Sequence, residues 1–341
     1  DAVSELFAAH GSNIWYERDA AGLLPGNFVC PHCGGRHFTK ETDTLDGWFD
    51  SGSSHFAVLH DNPDLKWPAD LYLEGADQYR GWFQSSLLTA VGAGREPVAP
   101  YKTVLTHGWV VDGEGRAMHK SLGNSVLPSD VIPKYGADLV RLWVASSDYR
   151  VDVRVSDPIF RQLSDAYRKI RNTVRILIAD LSDFNPDADM LPFEALPEID
   201  RWVISCMNDL TAKVRRAYDD YEFHIVYHEI SNFCTTELSK LYVDITKDRV
   251  YTEPAGSTAR RSAQTAMYFL LSGLIRLLAP ILVFSAEEMW QAIPHRSGDV
   301  RESVFLNALP FYDEALAFPE VRARWDRLFA MRDDVMKALV L

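Results

Sequence analysis

The hydrophobic pattern of this chain changes at Asp157-Pro158, and that change limits the possible folds more than any other feature. From about residue 45 to 155, short apolar runs alternate with longer stretches of helical periodicity. After the change, long amphipathic patterns of helical period follow one another. The first pattern predicts an α/β fold with a parallel sheet and the second an all-α fold, so one chain is expected to contain both architectures.

Three elements are predicted within the α/β part. Leu71-Tyr72-Leu73 is typical of a strand, residues 78–91 of a helix and residues 103–106 of the next strand. Ligands of a parallel sheet bind beyond the carboxyl ends of its strands, which is where Glu74 and His107 fall. We therefore expect Glu74 to follow its strand directly and to face a ligand.

The helical part contains three long amphipathic patterns. The first is predicted from Ile159 to Leu181, and Asn185-Pro186 is expected to break it. The other two have apolar residues three and four apart, namely Val203, Met207, Leu210 and Val214, then Met267, Leu270, Leu271, Leu274 and Leu278. Pro280 is expected to kink or end the last helix. No repeat of 20–50 residues is visible, so a helical bundle is predicted.

The charge balance restricts the kind of partner. The 341 residues include 35 Lys or Arg and 48 Asp or Glu, a net charge of −13, which disfavours a general nucleic-acid-coating role. A nucleic-acid partner therefore needs a local basic face. Arg161, Arg168 and Arg175 recur every seven residues with Arg171 beside them, and they provide one such face. The alternative is an ordinary solvated helix face.

Hydropathy and the number and spacing of cysteines indicate the cellular compartment of the protein and a possible metal site. No apolar run reaches the roughly 18 residues of a membrane span, so no membrane association is predicted. Four cysteines, with only Cys30 and Cys33 close in sequence, are not a secreted disulfide framework and favour the cytoplasm. The Cys30/Cys33 spacing is half of a tetrahedral zinc site, so Zn²⁺ is one hypothesis there. Cys206 and Cys234 are predicted to lie in the core.

A glycine-flanked loop from Gly113 to Asn124 carries one lysine, Lys120, followed by Ser121. A flexible ammonium in such a loop can follow the β- and γ-phosphates as charge shifts during attack on an α-phosphorus. Ser121, Gly123 and Asn124 would shape the turn and supply donors. The alternative is a plain surface turn, because glycine, serine and asparagine are ordinary turn residues.

A second motif, residues 74–83, reads Glu-Gly-Ala-Asp-Gln-Tyr-Arg-Gly-Trp-Phe. The carboxylate of Glu74 is suited to an α-ammonium, whereas Asp77 and Gln78 lie at the start of the predicted helix. Instead of binding a ligand, Glu74 could be a solvated acid of a loop, and Asp77 could be a helix N-cap. Trp82 has the alternative of a core aromatic, the commoner fate of tryptophan.

Together the two motifs resemble the class I aminoacyl-tRNA synthetases, and both are most similar to the isoleucyl family. The resemblance implies the second half of a Rossmann-like catalytic domain followed by a helical-bundle anticodon-binding domain. It also implies an enzyme that activates isoleucine with ATP and Mg²⁺ and transfers it to tRNA(Ile). The implied segments are a connective module at 1–44, half of the catalytic domain at 45–155 and a truncated tRNA-binding domain at 156–341.

The same resemblance assigns roles to residues. The amino acid and adenylate pocket would be formed by Glu74, Gly75, Asp77, Gln78, Trp48 and Trp82, with the two indoles as walls for a branched side chain. The catalytic loop would use Met118, His119, Lys120 and Ser121. The tRNA phosphates would meet Arg161, Arg168, Arg171 and Arg175.

The loop departs from the family signature Lys-Met-Ser-Lys-Ser at two positions. Ala117 stands in place of the first lysine, and His119 in place of the first serine. Lys120 would then make most of the phosphate contact, with Arg116 or a hydrogen bond from His119 as partial substitutes.

The sequence contains no His-x-Gly-His segment, the other ATP motif of that family. The chain begins at Asp1 and ends in a helical pattern, so we expect an internal fragment of a larger, monomeric enzyme that is inactive by itself. The editing domain would then lie outside these residues. Two alternatives stay open: a valyl or leucyl synthetase, and a non-catalytic tRNA-binding module that kept the fold.

Overall fold

The computed structural model describes residues 2–60, 62–93 and 98–339. Two compact units divide the chain, residues 1–105 and 106–341. The predicted segments 1–44, 45–155 and 156–341 are not tested by this division and stay predictions. Within the described ranges, no helix is both long and apolar enough to cross a membrane.

The described residues up to His107 form five α-helices and one small sheet. The elements are α1 Ala2–His10, α2 Ile14–Glu17, α3 Ala20–Leu23, α4 Gly47–Gly52, β1 Ala69–Gly75, α5 Trp82–Ala93 and β2 Tyr101–His107. A π-helical turn covers Phe56–His60. β1 pairs with β2 in a two-stranded sheet, so both strands predicted from sequence are confirmed with longer bounds.

Two details near β1 differ from the sequence prediction. Glu74 lies inside β1 as its second-last residue and does not follow the strand. The predicted helix of residues 78–91 is split into a 3₁₀ turn over Ala76–Arg80 and the regular helix α5. The break falls at Gly81, whose φ of −117° and ψ of −114° are far from helical values.

The second unit begins with a short parallel pair of strands, β3 Val110–Val111 and β4 Val153–Arg154. Val110 pairs with Val153, and Val111 with Arg154. The connection between them contains a 3₁₀ turn and the helices α6 Pro128–Tyr135 and α7 Ala137–Ser146. A parallel pairing is thus present between β3 and β4, two strands that were not predicted from the sequence, and in the described residues the strands form two separate two-stranded sheets.

The rest of the second unit is helical, as predicted. Its elements are α8 Asp157–Asp180, α9 Pro186–Asp189, α10 Glu198–Asp219, α11 Phe223–Phe233, α12 Val243–Thr252, α13 Thr258–Leu278, α14 Val283–Ala292 and α15 Pro319–Leu339. A π-helical segment over Cys234–Tyr242 joins α11 to α12. α8 stops at Asp180, before Asn185-Pro186, and Asn185 instead caps α9 by accepting from the N–H of Asp187.

α10 and α13 form the centre of the bundle. The apolar positions predicted from periodicity are all buried, namely Val203, Met207, Leu210, Val214, Met267, Leu270, Leu271, Leu274 and Leu278. Cys206 and Cys234 are also buried, as predicted. α13 ends two residues before Pro280, which confirms the expected helix end. A buried ion pair, Asp200 with Arg249 at 2.6 Å, links α10 to α12.

α7 fastens the loop-bearing segment to the bundle within the second unit. The buried carboxylate of Asp138 accepts hydrogen bonds from the N–H groups of Phe284 and Ser285 at the start of α14. One turn later, the guanidinium of Arg141 donates to the carbonyls of Pro280 and Ile281. Both contacts satisfy backbone groups at or near helix ends, and so they fix α7, which follows the loop, against the bundle.

Candidate functional site

The loop between β3 and α6 is organised around one carboxylate. Asp112 directly follows β3 and is 7% exposed. It accepts hydrogen bonds from the backbone N–H groups of Glu114 and Arg116 and from the Arg116 side chain at 2.9–3.0 Å. A fourth donor is Nδ2 of Asn124, at 2.9 Å. The Asn124 hydrogen bond, followed by that from the Arg116 backbone, holds the pKa of Asp112 well below its usual range.

Asn124 closes the loop from its other end. Its Nδ2 also donates to the carbonyl of Ala117, and its Oδ1 accepts from the N–H of His119. Between His119 and Asn124, a 3₁₀ turn over Lys120–Leu122 ends at Gly123, which has a φ of +64°. That left-handed conformation favours glycine. The loop backbone is therefore fixed on both sides of Lys120.

The predicted phosphate residues point outward from this fixed turn. Lys120, Ser121 and His119 are exposed, and no described residue forms an ion pair with Lys120. Arg116, by contrast, pairs with both Asp112 and Glu114, so its charge is already compensated. The structure thus leaves Lys120 available for an anion, whereas Arg116 is a poor substitute for the missing lysine.

Met118 differs from its neighbours in the loop because it packs inward. Its half-buried side chain lies against an apolar cluster that includes Val131, Trp143, Val155 and Phe160. The same residues line an apolar cavity of about 190 Å³. Met118 therefore anchors the loop, and Lys120 and Ser121 remain the exposed groups.

In the first unit, the two tryptophans of the predicted amino acid pocket are close together. Trp82 stacks on Tyr72 with ring centroids 4.1 Å apart and planes 1° from parallel, and its Nε1 donates to the carbonyl of Ser51. A Cβ built on Gly81 would lie 2.8 Å from the Trp48 ring, so glycine is needed where that ring crosses the backbone. Trp48 itself is 49% exposed. Trp48 is thus half exposed, whereas Trp82 is partly buried and held by its stack on Tyr72.

The polar residues of the same motif are placed at the end of β1. Glu74 is exposed, and its Oε2 accepts a 3.3 Å hydrogen bond from the N–H of Gly75. Gln78 accepts from the N–H of Trp82 and donates to Asp77. The hydrogen bond from Trp82 holds Gln78 next to that tryptophan. The N-cap alternative for Asp77 is not supported, because Asp77 lies inside the 3₁₀ turn Ala76–Arg80.

Two residues near these motifs escaped the sequence analysis. Asp112 follows the apolar pair Val110-Val111 directly, at the carboxyl end of a strand, and this signal could have identified it. Tyr72 was assigned only to a strand, although its ring forms the stacking surface for Trp82. Its partner lies ten residues away on another element, so no local pattern identifies the contact.

The arginine face of α8 is partly compensated by acids. Arg161 pairs with Asp157, Arg168 with Asp165 and Arg171 with Glu288. Arg175 is exposed and has no ion-pair partner among the described residues. α8 extends from Asp157 to Asp180, so its five basic residues share the helix with three acids.

The Cys30/Cys33 segment forms a tight turn. The N–H of Cys30 donates to the carbonyl of Gly35, and that of Gly34 to the carbonyl of Cys30. Donation from the backbone N–H of Cys33, and then of His32, lowers the pKa of the Cys30 thiol. Two thiols supply half of a tetrahedral zinc site. No third His, Cys, Asp or Glu joins them among the residues that the structure describes.

Comparison with known proteins finds two family matches along the chain. Residues 1–156 match the family described as tRNA synthetases class I (I, L, M and V), and residues 200–339 match the anticodon-binding domain of tRNA ligases. The chain belongs to the class I aminoacyl-tRNA synthetase family.

Curated proteins that are similar to this chain include isoleucine–tRNA ligases. The chain is 54% identical over 338 residues to the isoleucine–tRNA ligase of Moorella thermoacetica, and 53% identical over 340 residues to that of Symbiobacterium thermophilum. These alignments cover 99% of this chain, which spans 36% of the length of each relative.

Solved structures show the same fold at low sequence identity. The LeuRS of Agrobacterium radiobacter K84, in a ternary complex with tRNA and LeuAMS, has a TM-score of 0.65 at 21% identity and covers 85% of this chain and 35% of its own. The methionyl-tRNA synthetase of Mycobacterium tuberculosis has a TM-score of 0.56 at 17% identity. That alignment covers 71% of this chain and 48% of the methionyl-tRNA synthetase chain. Both likenesses concern the fold alone.

Proposed function

We propose that this chain is part of an enzyme that activates isoleucine with ATP to isoleucyl-adenylate and transfers it to tRNA(Ile). The observation that carries the proposal is the exposed, unpaired Lys120 on a turn fixed by Asp112 and Asn124. The identity of 51–54% to isoleucine–tRNA ligases supports isoleucine as the amino acid.

In the proposed reaction, the isoleucine carboxylate attacks the α-phosphorus of ATP and pyrophosphate leaves. Lys120 contacts the β- and γ-phosphates, and its charge stabilises the negative charge that moves onto pyrophosphate. Ser121 donates a hydrogen bond beside it. Because the loop backbone is held before the reaction begins, little reorganisation is required when charge moves.

The amino acid is proposed to bind through the motif at the end of β1. The exposed carboxylate of Glu74 pairs with the α-ammonium, and Asp77 and Gln78 add polar contacts to the adenylate. The backbone of Gly75 approaches the ligand without a side chain. Trp48 and Trp82 flank the branched side chain, with Trp82 held by its stack on Tyr72.

ATP is proposed to bind with Mg²⁺, which would supply positive charge to the phosphates. Its ligands include substrate phosphates, so the described residues need not form a metal cage of their own. Zn²⁺ at Cys30 and Cys33 would require two ligands beyond those that the described residues bring together.

The tRNA is proposed to dock on the helical part of the second unit, with Arg161, Arg168, Arg171 and Arg175 meeting phosphates. Family membership and the match at residues 200–339 support this partner. The proposed enzyme is a cytoplasmic monomer, and its four cysteines are free thiols, as a reducing compartment requires.

The test is ATP–pyrophosphate exchange by the full-length protein with isoleucine, valine and leucine compared in parallel. We expect isoleucine to support the fastest exchange, while the 341-residue chain alone, which contains no His-x-Gly-His segment, supports none. A preference for valine or leucine would contradict the isoleucine assignment. Absence of exchange with all three, together with retained tRNA binding, would indicate a non-catalytic tRNA-binding protein.

A further inference from the structure

Most cations close in sequence to the loop are already neutralised. The pairs are Arg116 with Asp112 and Glu114, Lys134 with Asp157, and Arg150 with Asp148 and Glu222. Arg141 donates to the backbone carbonyls at the end of α13. Among the described residues from 106 to 156, Lys120 and Arg154 are the two Lys or Arg side chains without an ion pair or side-chain hydrogen bond.

The backbone of Arg154 is held firmly on β4. The N–H of the next residue, Val155, donates to the carbonyl of Val111 at 2.9 Å. The carbonyl of Arg154 accepts a 3.0 Å hydrogen bond from Nε1 of Trp143, whose ring is buried. The position of the Arg154 Cα is therefore determined by the core, while its side chain is exposed.

The Arg154 guanidinium lies against the loop. A Cβ built on Gly115 would be 3.3 Å from Nη2 and 3.6 Å from Cζ of Arg154. Gly115 also has a φ of +83°, a backbone conformation that favours glycine.

Arg154 and Ala117 flank the same residue. Val111 pairs with Arg154 on one side in parallel register, and on its other side it forms an antiparallel bridge with Ala117. Ala117 and Arg154 are thus two strand spacings apart, about 10 Å. From the far strand, the arginine reaches the loop backbone two residues before Ala117.

We propose that Arg154 binds the triphosphate of ATP together with Lys120, and so supplies the cation that the loop lacks at Ala117. This rests on the ATP-dependent function proposed above. A guanidinium stays charged and donates to two phosphate oxygens at once, which suits it to this contact. Arg116 is closer in sequence to Lys120, but its donors already bind two carboxylates.

The experiment measures isoleucine-dependent ATP–pyrophosphate exchange by the full-length protein at varied ATP. Arg154→Gln, which keeps much of the side-chain stem, is expected to reduce kcat/KM for ATP by about 10- to 100-fold, as for one lost transition-state donor. Arg154→Lys should lose less activity than Arg154→Gln, because it keeps the charge but not the two-oxygen contact. Arg150→Gln, which removes a cation near the same strand, is the matched control and should stay within about twofold.

A rescue variant separates charge from structure. Adding Ala117→Lys to Arg154→Gln should restore most of the lost kcat/KM, and thermal unfolding should show that both variants are folded. Wild-type kinetics in folded Arg154→Gln would overturn the proposal. So would an equal loss in Arg154→Lys that Ala117→Lys does not relieve, because Arg154 would then be needed for structure.

A binding measurement distinguishes this inference from the proposed function. If the wild-type protein shows no exchange with any amino acid, the proposed function fails. Calorimetric titration with Mg·ATP then still tests Arg154: weaker binding by Arg154→Gln than by wild type supports the contact, and equal or absent binding in both overturns it.

Discussion

The carboxylate of Asp112 accepts a 2.9 Å hydrogen bond from the side chain of Asn124, which ties together the two ends of the signature loop. The same amide group of Asn124 holds the backbone at Ala117 and His119. Lys120 lies inside the segment closed by these contacts, so its position depends on a residue that does not itself meet the phosphate. The loop is thus shaped before any ligand arrives.

Asn124→Ala is therefore expected to reduce kcat of isoleucine-dependent exchange by about 10-fold or more, because Lys120 loses its fixed position. The rate is measured in the full-length protein at saturating ATP. Glu114→Ala is the control, since that exposed carboxylate contacts Arg116 alone among the described side chains. Equal rates for Asn124→Ala and wild type would show that the Asp112–Asn124 contact does not position the loop.

Lys120→Ala should reduce isoleucine-dependent exchange by about 10²-fold, as expected for loss of one charged transition-state contact. Lys213→Ala, which removes a lysine paired with Glu229 on the helical bundle, should leave the exchange rate unchanged. If both variants exchange at the wild-type rate, Lys120 has no role in the chemistry.

Glu74→Gln should weaken isoleucyl-adenylate binding more than ATP binding, because the charge opposite the α-ammonium is lost while the phosphate loop is intact. Asp70→Asn is a matched control on the same strand, since Asp70 is exposed but already pairs with Lys66 and Lys102. Both affinities are measured by calorimetry with a non-hydrolysable adenylate analogue and with ATP. Equal losses for the two ligands would point to a folding defect.

Arg168→Ala/Arg175→Ala should lower tRNA affinity and reduce the slope of log affinity against log salt by roughly 0.7–0.9 per lost phosphate contact. Within the pair, Arg175→Ala should have the larger effect, because Arg168 already binds Asp165 whereas Arg175 has no described ion-pair partner. Arg324→Ala/Arg332→Ala on α15 controls for the change in net charge. A slope that does not change in the folded α8 variant would mean that tRNA docks elsewhere.

Asp180→Asn should stabilise the protein at neutral pH. Burial raises the pKa of Asp180 to about 6, with Arg260 opposing the shift. Because the folded-state pKa exceeds the unfolded one, stability associated with protonated Asp180 is present below about pH 4 and is lost as pH rises through 6. The variant should therefore exceed wild type by about 1–3 kcal/mol at pH 7 and match it near pH 4, as measured by thermal unfolding across pH. A stability difference that is the same at both pH values would contradict the shift.

The spacing of apolar residues and the positions of proline were sufficient to predict much of the architecture. The apolar positions of α10 and α13 are buried as predicted, because a helix that packs on one face must repeat its apolar residues every three to four positions. The change at Asp157-Pro158 coincides with the start of α8, where proline is tolerated in the first turn. α8 ends within one residue of the predicted Leu181, whereas the helix predicted after β1 is divided at Gly81.

The sequence by itself determined the family, the loop and its single lysine, since these depend on residue identity and short spacing. Only the tertiary structure decided which cations near the loop remain available. Arg116 and Arg154 look equivalent in sequence, but Arg116 is bound by Asp112 and Glu114, whereas Arg154 reaches Gly115 from β4. The physical reason is that charge compensation depends on distances of a few ångströms: the turn of the loop brings Asp112 and Glu114 to Arg116, whereas the pairing of β3 with β4 places Arg154 beside the loop without a carboxylate partner among the described residues.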